Sequence, residues 1–291
     1  MGLYAIAVWL LYGLVTDHLW LQFACFVISS YLMVELNNSN ALIRIYSRMV
    51  SCSFIMMVCM STFLLQSSKG MMLSICVVMS FVMAFLSYQD KYSMGRIFYS
   101  FMSIGIGSMI DVSVLFFVPV MWLAMFFHLQ SMTLRTFISS LFGLICPYWF
   151  VAVYLIYTND ITLAVEHFSQ LAVFGKVANF SQVPVSALVS ICYITILSVV
   201  GIIHYLRNRV FDKTRTRMFY NTFILFDIFT IAFIILQPQH YATMLIILIV
   251  TTSPLIAHFI ALTNTWITNL AFKVIVATAL SLTIINILQL I

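Results

Sequence analysis

Residues 239–261, QHYATMLIILIVTTSPLIAHFIA, run for twenty-three positions without one Asp, Glu, Lys or Arg. As a helix rising 1.5 Å per residue, such a run is about 34 Å long, enough to cross the roughly 30 Å hydrocarbon core of a bilayer. The chain repeats this pattern. Eleven apolar segments, at about 2–15, 18–36, 43–66, 70–88, 94–110, 113–128, 134–158, 184–206, 218–236, 239–261 and 266–290, are separated by turn or charge signals. Of the 291 residues, 64% are hydrophobic and 7% charged, against roughly 25% charged in soluble domains. A soluble fold of this length needs a polar shell that these residues cannot supply. A membrane barrel would show alternating segments of about ten residues rather than continuous apolar blocks. The sequence therefore predicts an all-α, polytopic transmembrane bundle of nine to eleven spans, forming one integral membrane domain over 1–291.

Orientation follows from the cations. Arg44, Arg48, Lys91, Arg96, Arg135, Arg207, Arg209, Lys213, Arg215 and Arg217 fall in every second loop, whereas the alternate loops hold Lys69 and Lys176. Ten against two predicts that the first set faces the cytoplasm, with a cytoplasmic N-terminus. Residues 207–217 form the densest of these stretches, a cytoplasmic basic loop beside anionic head groups. It reads as a topology anchor or, alternatively, as a docking site for an acidic partner. Residues 159–183 read as an external amphipathic loop, with Leu163, Leu171 and Phe174 on one side and Asp160, Glu166, His167 and Lys176 elsewhere. No cleavable secretory signal is legible, and Ile6 breaks the myristoylation pattern that Met1-Gly2 begins.

Several chemistries are not encoded. The six cysteines all lie in apolar runs without a CxxC pair, so neither a disulfide framework nor a zinc site is expected. No Walker, HExxH, GxSxG or Rossmann pattern occurs. No cofactor or metal is implied, and no aromatic-interleaved basic stripe points to nucleic acid. The eighteen methionines and twenty-six phenylalanines are dispersed through the spans as packing residues. Pro119, Pro147 and Pro254 fall inside expected spans and predict kinks. Gly105 and Gly107, with Ser103 and Ser108, offer a close-packing surface.

The expensive residues are Asp227 and Lys273. An ionisable group at such depth costs on the order of 3 kcal/mol on insertion scales. Both lie at similar depth from the cytoplasmic side, which suggests an Asp227–Lys273 ion pair with His258 nearby. That pair reads as a staple for the C-terminal helices or as a coupling site for protons or an anion; Lys273 could instead snorkel to head groups. No catalytic residue is expected; the outward groups are Asp17, Asp111, Asp160 and Glu166, with His18, His167 and His240 nearby, and for an enzyme the candidates are Asp17, Asp160 and Glu166. Asp17-His18 falls where multi-span glycosyltransferases carry a carboxylate in their first external loop. Here the turn is two or three residues long, too tight to cradle a sugar, and Asp17 reads as a helix cap.

One further pattern covers much of the chain. Leu86-Ser87-Tyr88-Gln89, Gly95-Arg96 with Phe98, Phe101 and Gly105, then Pro119 and Trp122, lead into Leu134-Arg135-Thr136-Phe137. Gly143, Cys146-Pro147-Tyr148-Trp149-Phe150 and Gln237-Pro238-Gln239-His240 follow. This resembles a family of uncharacterised multi-span inner-membrane proteins of the Bacteroidota, catalogued as a domain of unknown function. The resemblance implies a bacterial inner (cytoplasmic) membrane and an envelope-related role, and carries no catalytic residues to transfer. The leading expectation is a non-enzymatic subunit or scaffold of a cell-envelope assembly, with the bilayer and other envelope proteins as partners. The rivals are a glycosyltransferase or polymerase relative acting on a polyprenyl-linked sugar, and a small-solute or lipid transporter.

Overall fold

The computed structural model describes residues 1–158, 161–175, 177–181, 183–263 and 265–288. Its thirteen α-helices are α1 (Gly2–Leu11), α2 (Trp20–Asn40), α3 (Met49–Met60), α4 (Phe63–Gln66), α5 (Ser68–Phe85), α6 (Met94–Ile110), α7 (Val118–Phe127), α8 (Leu134–Thr158), α9 (Ile161–Ser169), α10 (Val185–Asn208), α11 (Thr214–Leu236), α12 (Tyr241–Leu262) and α13 (Trp266–Ile287). Short 3-10 turns at Val112–Phe117, Gln170–Ala172, Arg209–Phe211 and Pro238–His240 join some of them.

Seven helices, α2, α5, α8 and α10 to α13, are long and apolar enough to cross a membrane. The other expected spans are shorter for local reasons. α1 has ten residues, about 15 Å or half a hydrocarbon core. The expected segment 43–66 becomes the twelve-residue α3, broken at Ser61-Thr62 before α4. Residues 112–127 begin as a 3-10 turn, so Pro119 sits in the first turn of α7 rather than inside a long helix. The first turn of a helix accommodates proline readily. Pro147 and Pro254 do lie inside helices.

Polar side chains mark several boundaries. The Ser67 hydroxyl accepts a hydrogen bond from the Gly70 amide at the start of α5, and Thr265 and Thr268 form a capping box on α13. Asp17 does not cap α2: the capping position is Leu19 and no side chain serves it. Asp17 lies exposed in the turn instead.

The bundle is organised around α12. Every residue from Thr243 to Phe259 is buried, and α12 packs on α3, α5, α10 and α11. Close approach of α10 depends on Gly201, where a Cβ would lie 2.8 Å from the Leu255 carbonyl carbon. A second seam joins α6 to α8, with Gly105 against the Leu144 carbonyl and Gly143 against the Phe98 carbonyl. Phe85 of α5 stacks on Phe219 of α11 with ring centroids 4.3 Å apart.

The basic loops gather at one end of this bundle. Arg215 donates to the Asn40 side-chain oxygen at 3.2 Å, and the Gln89 amide donates to the Leu129 carbonyl at 2.9 Å. Tyr88 meets Phe219, one turn from Arg215, edge-on at 5.5 Å. Phe63 and Tyr241 pack together at 6.1 Å at the other end, near Lys69. Lys176 lies outside the described residues.

The α6–α8 seam yields a direct test. Gly143→Ala forces a methyl group into the Phe98 backbone, and should destabilise the detergent-solubilised protein by roughly 1–3 kcal/mol. Gly95→Ala, where a Cβ meets nothing within 4 Å, should leave the melting temperature unchanged or slightly higher.

Candidate functional site

Three neighbouring helices, α10, α11 and α12, carry the buried polar chemistry. Asp227 stands near the middle of α11 and is completely buried. Its Oδ1 accepts a hydrogen bond from the Thr251 hydroxyl. Its Oδ2 accepts from the Ser198 hydroxyl and from the Thr252 hydroxyl, the latter at 3.1 Å. One carboxyl group thus ties α11 to both α10 and α12. Thr251 lies also 2.9 Å from the Ile247 carbonyl of its own helix, so its single hydroxyl hydrogen is shared between two acceptors.

The expected Asp227–Lys273 ion pair is absent. Lys273 is exposed on α13, which packs against α3 and meets α10 through the Tyr193 hydroxyl, a donor to the Ile275 carbonyl at 2.7 Å. Matching depth in two spans does not make them neighbours. Among the described residues Arg96 and Asp90 form an ion pair at 3.6 Å, and the His258 ring hydrogen-bonds with Asp212 at 3.0 Å.

His258 belongs to a second cluster, about two turns along α12 from Thr251. Its Nε2 faces Asp212 Oδ2, and its Nδ1 faces His204 Nδ1 of α10 at 3.3 Å. Tyr220 of α11 closes the side, its ring 5.0 Å from that of His258, and its hydroxyl donates to the Pro254 carbonyl at 3.4 Å. Asp212 is the one acid of the basic loop, and it is turned inward and buried. The two nitrogens of His258 point to opposite sides of the ring, so Asp212 and His204 do not converge on a common point. No metal-holding group of His, Cys, Asp or Glu occurs among the described residues.

The outward acids stay apart. Asp17 is exposed between α1 and α2, and Glu166 is exposed on α9; Asp160 lies outside the described residues. His167 engages the Ser108 carbonyl at 2.9 Å. Asp111 bonds to the turn after α6 and to α12: its Oδ1 accepts from the Ser113 amide at 3.0 Å and from the Ser113 hydroxyl, and its Oδ2 accepts from the Thr243 hydroxyl. Burial opposes ionisation of Asp111, but these hydrogen bonds, with His240 nearby, outweigh it and hold the carboxyl below the usual range. Two grooves among the described residues are apolar. One, of about 390 Å³, runs between α8 and α9 past Tyr148, Leu155, Leu163 and Phe168; another, of about 400 Å³, lies between α10 and α11 past Ile191, Thr195 and Ile235.

Ser198, Thr251 and Thr252 escaped the sequence reading because isolated hydroxyl residues are common in apolar helices. The adjacent Thr251-Thr252-Ser253 in the middle of the longest uncharged run was the available signal. No family model, curated protein or solved structure matches the chain, so the residues carry the functional argument. The fold and its buried polar core define a multi-pass helical membrane protein.

Two outcomes follow. Asp227→Ala removes three interhelical hydrogen bonds, each worth about 0.6–1.7 kcal/mol in a membrane; it should lower the melting temperature clearly, while Lys273→Met leaves it unchanged. Because the Asp111 carboxyl is depressed in the folded state, its stabilisation is full above the ordinary Asp range and fades as pH falls through the folded value. Asp111→Asn should therefore flatten the acid limb of a melting-temperature profile below about pH 4.

Proposed function

We propose that the chain is a non-enzymatic integral subunit, or scaffold, of a cell-envelope assembly in a bacterial inner membrane, with its basic loops facing the cytoplasm. The observation that carries this reading is the use of the bundle's centre for cohesion. α12 is enclosed from Thr243 to Phe259, and Asp227 and His258 spend their polar atoms on neighbouring helices. The bacterial inner membrane is proposed from the sequence resemblance alone. Seven helices are long and apolar enough to cross; the proposed nine to eleven crossings need the shorter α3, α6 and residues 112–127 to cross as well. The orientation rests on the basic loops; with the 41–48 loop cytoplasmic, the N-terminus is cytoplasmic only if the chain through the short α1 also crosses.

One observation favours a transporter as the second reading: Asp227 has hydroxyl partners at mid-span but no cationic one among the described residues. A glycosyltransferase or polymerase relative has no comparable support, since Asp17 and Glu166 are exposed on separate elements.

Pull-down of the tagged protein from its native membrane in mild detergent, with mass spectrometry of proteins and lipids, tests the proposal. Stoichiometric envelope proteins are the expected result. Recovery of the protein alone, carrying a polyprenyl lipid or glycolipid, would overturn the scaffold reading in favour of an enzyme or transporter.

A further inference from the structure

The end of the bundle that carries the basic loops holds a composite surface built from two segments far apart in sequence. The α2–α3 connection, residues 41–48, and the α10–α11 connection around Arg209–Phe211 lie side by side. Arg44 sits over the Phe211 ring with 5.6 Å to its centroid, Arg215 donates to Asn40 at 3.2 Å, and the Thr216 hydroxyl donates to the Ala41 carbonyl at 3.5 Å. Together the two segments and their flanks contribute Arg44, Arg48, Arg207, Arg209, Lys213, Arg215 and Arg217, of which all but Arg217 are exposed.

Two features distinguish this surface from a scatter of loop cations. First, its internal acid is withdrawn: Asp212 is buried on His258 at 3.0 Å, and its charge does not face outward. The other acids at this end lie off the surface, Asp90 facing Arg96 and Glu35 more than a turn up α2. Secondly, large apolar side chains stand exposed among the cations, with Tyr46 at 85%, Val210 at 78%, Phe211 at 70% and Ile45 at 51%. Cations with exposed aromatic and aliphatic side chains between them match an interface that is anionic at its surface and apolar just beneath. An acidic protein would match the charge but not call for four exposed apolar side chains at the level of the head groups.

We infer that this surface is a docking site for anionic phospholipid head groups, with Val210, Phe211, Ile45 and Tyr46 seated at the boundary of the acyl region. Arg44 and Arg209 present guanidinium groups, which bind phosphate oxygens in a two-pronged manner. The inference rests on the proposed membrane seating but not on the scaffold role.

The test is native mass spectrometry of the protein reconstituted in nanodiscs made of phosphatidylglycerol and phosphatidylcholine in equal parts. Wild type should retain phosphatidylglycerol selectively, and R44Q/R209Q should retain it roughly tenfold less or weaker still. K91Q/R135Q, which removes the same charge from the neighbouring basic loops, should stay close to wild type. D212N should change little, because that charge is already withdrawn, whereas T214D, which places an acid at the exposed start of α11, should reduce retention. Equal losses in R44Q/R209Q and K91Q/R135Q would overturn the site in favour of diffuse charge. A gain in D212N as large as the loss in T214D would overturn the withdrawal of Asp212. An acidic protein that co-purifies with wild type and is lost in R44Q/R209Q, with lipid retention unselective in both, would make the surface a protein interface. All variants are checked for a single symmetric peak on size exclusion. Labelling of Tyr46→Cys by an impermeant maleimide in inverted rather than right-side-out vesicles reports the orientation separately, so failure of the topology and failure of lipid docking are distinguishable.

Discussion

A helix sealed on all sides has neither water nor lipid head groups to answer its polar groups, and α12 is such a helix over most of its length. Each hydroxyl or imidazole on it must find a partner on a neighbour or on its own backbone, because an unmatched polar group in an apolar interior is costly. Thr251 and Thr252 reach Asp227, and His258 reaches Asp212 and His204. These bonds fix the rotation of α10 and α11 about α12. Gly201 then sets how near α10 can come. The apolar contacts that surround this core supply packing but little registry, since leucine and isoleucine faces slide past one another more readily than hydrogen bonds do.

Charge is sorted on the same principle at the bundle's ends. Most cations are left at one end, on loops or at helix ends, where head groups or water receive them. Asp212 is the exception that joins the two regimes: it starts in the most basic loop and ends buried against His258 of α12. The loop is thereby tied down at its centre, while Arg209 and Lys213 on either side remain free to face outward.

Much of this was legible in the sequence. The eleven apolar segments correspond closely to helices, and the alternation of cations reappears as a gathering of Arg44, Arg135 and Arg215 at one end. What the periodicity could not give was helix length where a break is conformational: Ser61-Thr62 ends α3 although the apolar run continues, and Val112–Phe117 winds as a 3-10 turn without any charge to signal it. Lateral arrangement was also hidden. Depth arithmetic placed Asp227 beside Lys273, but depth is one coordinate of three, and α13 attaches at a different part of the perimeter. The true partners of Asp227 are hydroxyl residues, whose short side chains leave no mark in hydropathy. Asp212 looked like a loop acid among cations, and nothing local in the sequence tells that it points inward.

The position of α12 in the chain has a consequence for how the protein is made. It is the twelfth of thirteen helices in chain order, yet it occupies the centre against which α3, α5, α10 and α11 pack. Chains emerge N-terminus first, so α2 to α8 enter the membrane with the space for their central helix still open. Asp227 likewise enters in α11 before its partners Thr251 and Thr252 have reached the membrane. The bundle is therefore assembled around a late keystone, and for that interval its half-built form exposes polar side chains to lipid. Whatever inserts or escorts the nascent protein has to shield that gap until α12 closes it.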